Sequence, residues 1–203
     1  MTTTTARDLV IIAVDVAPSR PLEQGDLSLA LAGAELIDLT AAGTVTLDGT
    51  RIMPGDGPAL SDHLLDQAAA SIVRQAPYES VDDWLWRRGR SLASTYLASL
   101  EEAGLLVRRR RRLTPFRTGR PMPADSTDRR RARDRWSSGE PVLAVLASAA
   151  GIGSQENRDA PTGAGDAVET VLAAVHDAVS ELEAVRQRRA IEQAAFDNVW
   201  RGD

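Results

Sequence analysis

The sequence has no cysteine and no lysine, and all 24 of its basic residues are arginine. Without cysteine there are no disulfides, no thiolate nucleophile and no zinc site built on sulfur. Without lysine there is neither the amine that Schiff-base chemistry needs nor the cation that a P-loop places on phosphates. Histidine is nearly absent too: His63 and His176 sit on separate predicted helices. That spacing supports neither a multi-imidazole metal site nor a Ser-His-Asp arrangement. The longest apolar runs, 9–14 and 141–152, fall short of the roughly 20 residues that cross a bilayer as a helix. The start, Met-Thr-Thr-Thr-Thr-Ala, lacks the basic patch and apolar stretch of a secretory signal, so a cytoplasmic protein is expected.

What is present is enough apolar material for a core, 43% of 203 residues, and an uneven distribution of charge. The net charge is −5, but residues 1–83 hold 4 Arg against 13 acids and residues 137–203 hold 5 against 11. Between them, residues 84–136 carry 15 Arg against 5 acids. A strongly cationic middle between two acidic arms points to an anionic surface as partner. The same arginines could instead pair with the acidic arms inside one fold. The run Arg108 to Arg112 resists that, because neighbours on a strand point to both faces and like charges repel.

Periodicity and turn chemistry predict a mostly helical chain. Residues 7–16 read as a short helix or strand, which run length alone does not decide. Asp26 is a suitable N-cap for an apolar helix over 27–41, ended by Gly43. Strands at 44–47 and 51–53 are expected to turn through Asp48-Gly49. Ser61 is expected to cap a helix running to Gln75, and Ser80-x-x-Asp83 resembles a capping box. A helix over 92–103 ends at Gly104 and leads into an arginine-rich hairpin, with strands at 105–113 and 120–123. Residues 128–136 form a basic helix, and Pro141 suits the first turn of the next. A loop follows over 151–165, then a helix over 166–200. Its seam of Val168, Leu172, Val175, Val179 and Leu182 reads as core, and Arg186 breaks it.

Catalytic motifs are missing. His63 lies between Asp62 and Asp66 and reads as an exposed helical histidine. The glycine pairs Gly151/Gly153 and Gly163/Gly165 lack a preceding strand and the third glycine of a dinucleotide fingerprint. Adjacent acids such as Asp82-Asp83 do not share a helix face, so they make no carboxylate dyad. No cofactor or metal is called for. What remains is a binding surface, since guanidinium forks meet phosphate oxygens in pairs. At the hairpin tip Leu113, Pro115 and Phe116 form an apolar wedge between arginines, suited to shallow insertion beside anionic headgroups. The wedge could also fold back on the core, or its strand edge could pair with a second copy.

Three segments together resemble the Golgi phosphoprotein 3 family. They are Leu29-Ala-Leu-Ala-Gly-Ala-Glu-Leu-Ile-Asp-Leu39 followed by Gly43-Thr-Val-Thr-Leu47; Leu64 to Ala68 with Val81 to Leu85; and Tyr96 to Leu106. The likeness is strongest over 7–150. It implies a single, mainly α domain over 1–203, compact, with a projecting arginine-rich β-hairpin, peripheral to a membrane and prone to oligomerise. Family members bind phosphatidylinositol 4-phosphate through a tryptophan and an arginine near the first long helix and basic residues after the hairpin. In this chain 18–31 has no aromatic residue and Ala32 stands about where the helix arginine belongs. Arg20 is the nearby substitute, and Arg129, Arg130 and Arg133 match the later basic helix.

The resulting expectation is a non-enzymatic adaptor or peripheral membrane protein. Arg20, Arg109, Arg111, Arg129, Arg130 and Arg133 hold phosphates of an anionic phospholipid surface, and a protein cargo of unknown identity is a further expected partner. A winged-helix nucleic-acid binder is the alternative, because a helix followed by a basic hairpin has that outline. Glu101 and Glu102 on that helix oppose phosphate. A structural oligomer built through the hairpin is the third reading.

Overall fold

The computed structural model describes residues 4–16, 22–108, 121–153 and 163–201. The ambiguous first run is helix α1 (Thr5–Asp15), capped by the Thr4 hydroxyl, which accepts the Arg7 N–H at 3.2 Å. Leu9 to Ala13 are all buried, as a helix wrapped by neighbours requires.

Helix α2 (Gln24–Ala41) is the axis of the molecule and touches α1 and all the later helices except α6 closely. It begins three residues before the expected start. Glu23 takes the extended cap position without a side-chain bond, and Asp26 lies inside the first turn. There its carboxylate accepts a 2.6 Å bond from Arg186, so a distant partner outweighs the local capping preference. The far end behaves as predicted. Gly43 adopts φ +70°, and Thr44 N–H returns to the Leu39 carbonyl at 3.0 Å.

Strands β1 (Val45–Asp48) and β2 (Arg51–Pro54) pair antiparallel with Asp48 opposite Arg51. The two-residue loop is therefore Gly49-Thr50, one position beyond the expected turn; Gly49 supplies the positive φ of +57°. Helix α3 (His63–Ala70) is capped by Asp62 and not Ser61, because a carboxylate accepts both Leu64 and Leu65 N–H groups, at 3.0 and 3.1 Å. It stops well before Gln75, where the Ser71 hydroxyl turns back to the Ala68 carbonyl. Helix α4 (Val81–Arg88) has the predicted Ser80 cap. Helix α5 (Leu92–Glu102) ends as expected, with Gly104 at φ +69°.

Strands β3 (Leu106–Arg108) and β4 (Pro121–Pro123) pair antiparallel with Arg108 opposite Pro121. The expected strand ends beyond Arg108, at Arg109 to Leu113, lie outside the described residues. Helix α6 (Thr127–Ser137) is capped by Ser126, and α7 (Pro141–Ala149) by Glu140 with Pro141 as its first residue. Helix α8 (Asp166–Arg201) closes the chain. Its inner half buries Val171, Leu172, Val175, Ala178 and Val179 against the rest, and Arg186 ends the seam. Positions 187–196 are all exposed.

The fold is thus mainly α with small hairpins, as expected, and the buried side chains form one continuous core. Close approach of α2 and α8 depends on Gly33, where a Cβ would run into a methyl of Val175.

Candidate functional site

The cationic middle of the chain begins on α4, runs through the β3–β4 hairpin and ends on α6. Arg108 and Pro121 close the described part of the hairpin, and only a short link joins Pro123 to the Ser126 cap of α6. Of α6's described residues only Ala132 is fully buried, with Trp136 packed part-buried against the core. Ion pairs add to this packing.

Arg129 and Arg133, one turn apart, share a face and meet on one carboxylate. Arg129 donates to one oxygen of Asp15 at 2.6 Å, and Arg133 donates through Nε to the other. The Asp15 side chain is 4% exposed, so the two guanidiniums enclose it. Asp15 is the last residue of α1, where the peptide dipoles disfavour an anion. Burial also pushes its pKa up, but the hydrogen bonds and charges of Arg129 and Arg133 outweigh this and hold it below the usual carboxylate range.

Further along α6, Arg135 bridges Asp8 of α1 at 2.7 Å and Glu140 at 2.8 Å. Asp8 is fully buried, and burial leaves its pKa raised despite Arg135. Arg131 pairs with Asp128 at 2.8 Å within the helix. Arg130 alone among the described α6 arginines is exposed and makes no ion pair with a described residue.

Three outcomes follow for the expected site. Arg129 and Arg133 are brought together, on a carboxylate of the protein's own. Arg130 is exposed to solvent. Arg20, Arg109, Arg111, Leu113, Pro115 and Phe116 lie outside the described residues. The reading that arginines pair with the acidic arms therefore holds for most of α6. Asp15 was not singled out in the sequence, where it is one of many acids in the N-terminal arm. Its position closing an apolar helix, where an acid is disfavoured, was the available signal.

Ala32, at the place of the family's helix arginine, is fully buried, and its carbonyl accepts the Trp84 indole N–H at 3.0 Å. No phosphate contact comes from that position. Elsewhere, a cavity of about 500 Å³ between the start of α1 and the end of α2 has Asp38 and Asp62 on its wall. A second, of about 310 Å³, lies beside Trp86 and Arg90. His63 is exposed, as expected, with Gln67 at 3.4 Å. Among the described residues no three acids or histidines gather as a metal site.

The sequence model of the Golgi phosphoprotein 3 (GPP34) family matches residues 6–193. The chain belongs to the Golgi phosphoprotein 3 family. The match runs from α1 into the exposed half of α8, so the hairpin, α6 and Asp15 all fall within the part this Golgi phosphoprotein 3 member shares with the family pattern. Among curated proteins, none matches the chain.

Proposed function

We propose that this Golgi phosphoprotein 3 family member is a non-enzymatic peripheral membrane or adaptor protein that docks on anionic phospholipid headgroups at the inner face of the membrane. The observation that carries the reading is a contrast in charge. Residues 109–120 contain six arginines and no acid, while the α6 arginines other than Arg130 already have carboxylates within reach. The densest excess of positive charge in the sequence thus falls in 109–120.

In this reading Arg109 and Arg111, with Arg130 of α6 and Arg20 from the stretch after α1, contact phosphates first. Each basic residue near a charged leaflet contributes about 1 kcal/mol. Leu113, Pro115 and Phe116 enter the interface, and Arg129 with Arg133 supply a paired fork. The hairpin also serves self-association. Against the nucleic-acid alternative, α5, which leads into the hairpin, carries no basic residue, and it ends in Glu101-Glu102.

Co-sedimentation with vesicles tests this. Binding to phosphatidylglycerol-containing vesicles is expected to exceed binding to neutral phosphatidylcholine by an order of magnitude or more and to weaken steeply with salt. Arg109→Glu with Arg111→Glu is expected to abolish it. Equal partitioning onto both vesicle types would remove the electrostatic reading.

A further inference from the structure

We infer that Asp15 is a built-in competitor for the arginine fork of α6: its carboxylate occupies the position a phosphate headgroup would take between Arg129 and Arg133. The inference rests on the lipid-docking reading and adds to it how that docking is controlled.

The geometry is that of an occupied anion receptor. Each oxygen of Asp15 takes one guanidinium, the arrangement in which an arginine pair holds either a carboxylate or a phosphate. The receptor has capacity to spare. Arg129 Nε is buried without a hydrogen-bond partner, and the Arg133 side chain is 56% exposed on the outer side of the fork. The occupant is poorly placed apart from those two contacts, since it ends α1 where the helix dipole opposes it. Immediately after it Val16 leaves the helix, with extended backbone angles, so the carboxylate needs only the last turn of α1 to move aside.

A tethered carboxylate has a high effective concentration, so an isolated phosphate of equal charge displaces it poorly. A dense array of headgroups, already held by the hairpin arginines, displaces it readily. The α6 fork therefore engages above a threshold of surface charge, after the hairpin has docked. This sequence predicts a steep, sigmoidal dependence of binding on the anionic fraction of the membrane.

Asp15→Asn removes the charge and keeps the shape. Titrated with phosphatidylcholine vesicles carrying rising fractions of phosphatidylglycerol, the wild-type chain is expected to bind late and steeply. Asp15→Asn is expected to bind at lower anionic fractions, several-fold more tightly at the wild-type threshold, and along a more graded curve. Adding Arg129→Gln and Arg133→Gln to Asp15→Asn is expected to cancel the gain. Wild-type binding with an unchanged curve for Asp15→Asn would overturn the competitor and leave the lipid reading standing. Soluble inorganic phosphate gives a readout that needs no membrane: at equal ionic strength it is expected to raise the melting temperature of Asp15→Asn and not that of wild type. Absence of that difference overturns the inference, whatever the vesicles show. If Asp15→Asn does not fold, hydrogen exchange of the wild-type chain decides: anionic vesicles are expected to deprotect residues 13–16 as Asp15 is released, and unchanged protection there counts against it.

Discussion

Arg88 donates to both oxygens of Glu35, at 2.7 and 2.9 Å, and so ties α4 to the middle of α2. Glu35 is fully buried, and the Tyr96 hydroxyl donates to it as well at 3.0 Å. The Arg88 fork also reaches the Leu64 carbonyl of α3 at 3.2 Å, so one guanidinium links three helices. Removing one member is costly because the other stays charged in a dry place. Glu35→Ala is expected to lose about 3–5 kcal/mol in urea unfolding. The triple replacement Glu35→Leu, Arg88→Met, Tyr96→Phe is expected to recover most of it, since a well-packed apolar set can equal a buried ion pair.

Asp38 predicts an unusual pH dependence. Burial pushes its pKa from the ordinary 3.8 up to about 6, against the lowering hydrogen bonds from Thr5 and Ala6. Between those values the folded chain holds a proton that the unfolded chain has released, so this group's contribution to stability falls as pH rises through the window. One such group gives at most about 1.4 kcal/mol per pH unit. Glu35 and Asp8, also raised by burial, act in the same direction, and Asp15, lowered by its arginines, acts in the opposite one. Urea midpoints measured from pH 4 to 7 are expected to decline less with rising pH for Asp38→Asn than for wild type.

Gly33 and Val175 set the spacing of α2 and α8. A methyl added at Gly33 overlaps the Val175 side chain, and the helix backbone offers little room to yield. Gly33→Ala is expected to destabilise by about 1–3 kcal/mol despite the better helix propensity of alanine. Combining it with Val175→Ala is expected to give back part of the loss, a coupling that a double-mutant cycle in urea measures.

Arg186 and the residues after it separate two roles within α8. Arg186 is the charged partner of Asp26, whose side chain is 2% exposed, and Arg186→Ala is expected to cost about 1–3 kcal/mol by thermal or urea unfolding. Ile191, by contrast, is 70% exposed, and its neighbours from 187 to 196 are exposed too. Ile191→Ser is therefore expected to leave stability within about 0.5 kcal/mol of wild type by urea unfolding.

Much of the architecture was legible in the chain because it is written in local physics. The apolar run of 27–41, the Gly43 and Gly104 stops, the Ser80 cap and Pro141 at a helix start all act within a few residues of themselves, and the structure keeps them. The errors of reading were local competitions decided from afar or by a neighbour. Asp26 gave up its cap for Arg186, 160 positions along the chain. Asp62 displaced Ser61 because a carboxylate accepts two amides at once.

The sequence by itself determined a helical protein with no thiol or lysine chemistry and a concentration of arginine in its middle third. It also showed that those arginines could be either neutralised or free, and it had no means to choose. Only the tertiary structure decided that for α6, by bringing Asp8 and Asp15 of α1 against a helix more than a hundred residues later. Coulomb attraction between guanidinium and carboxylate acts over a few ångströms in space, so its outcome depends on which helices pack together and cannot be read from spacing along a chain.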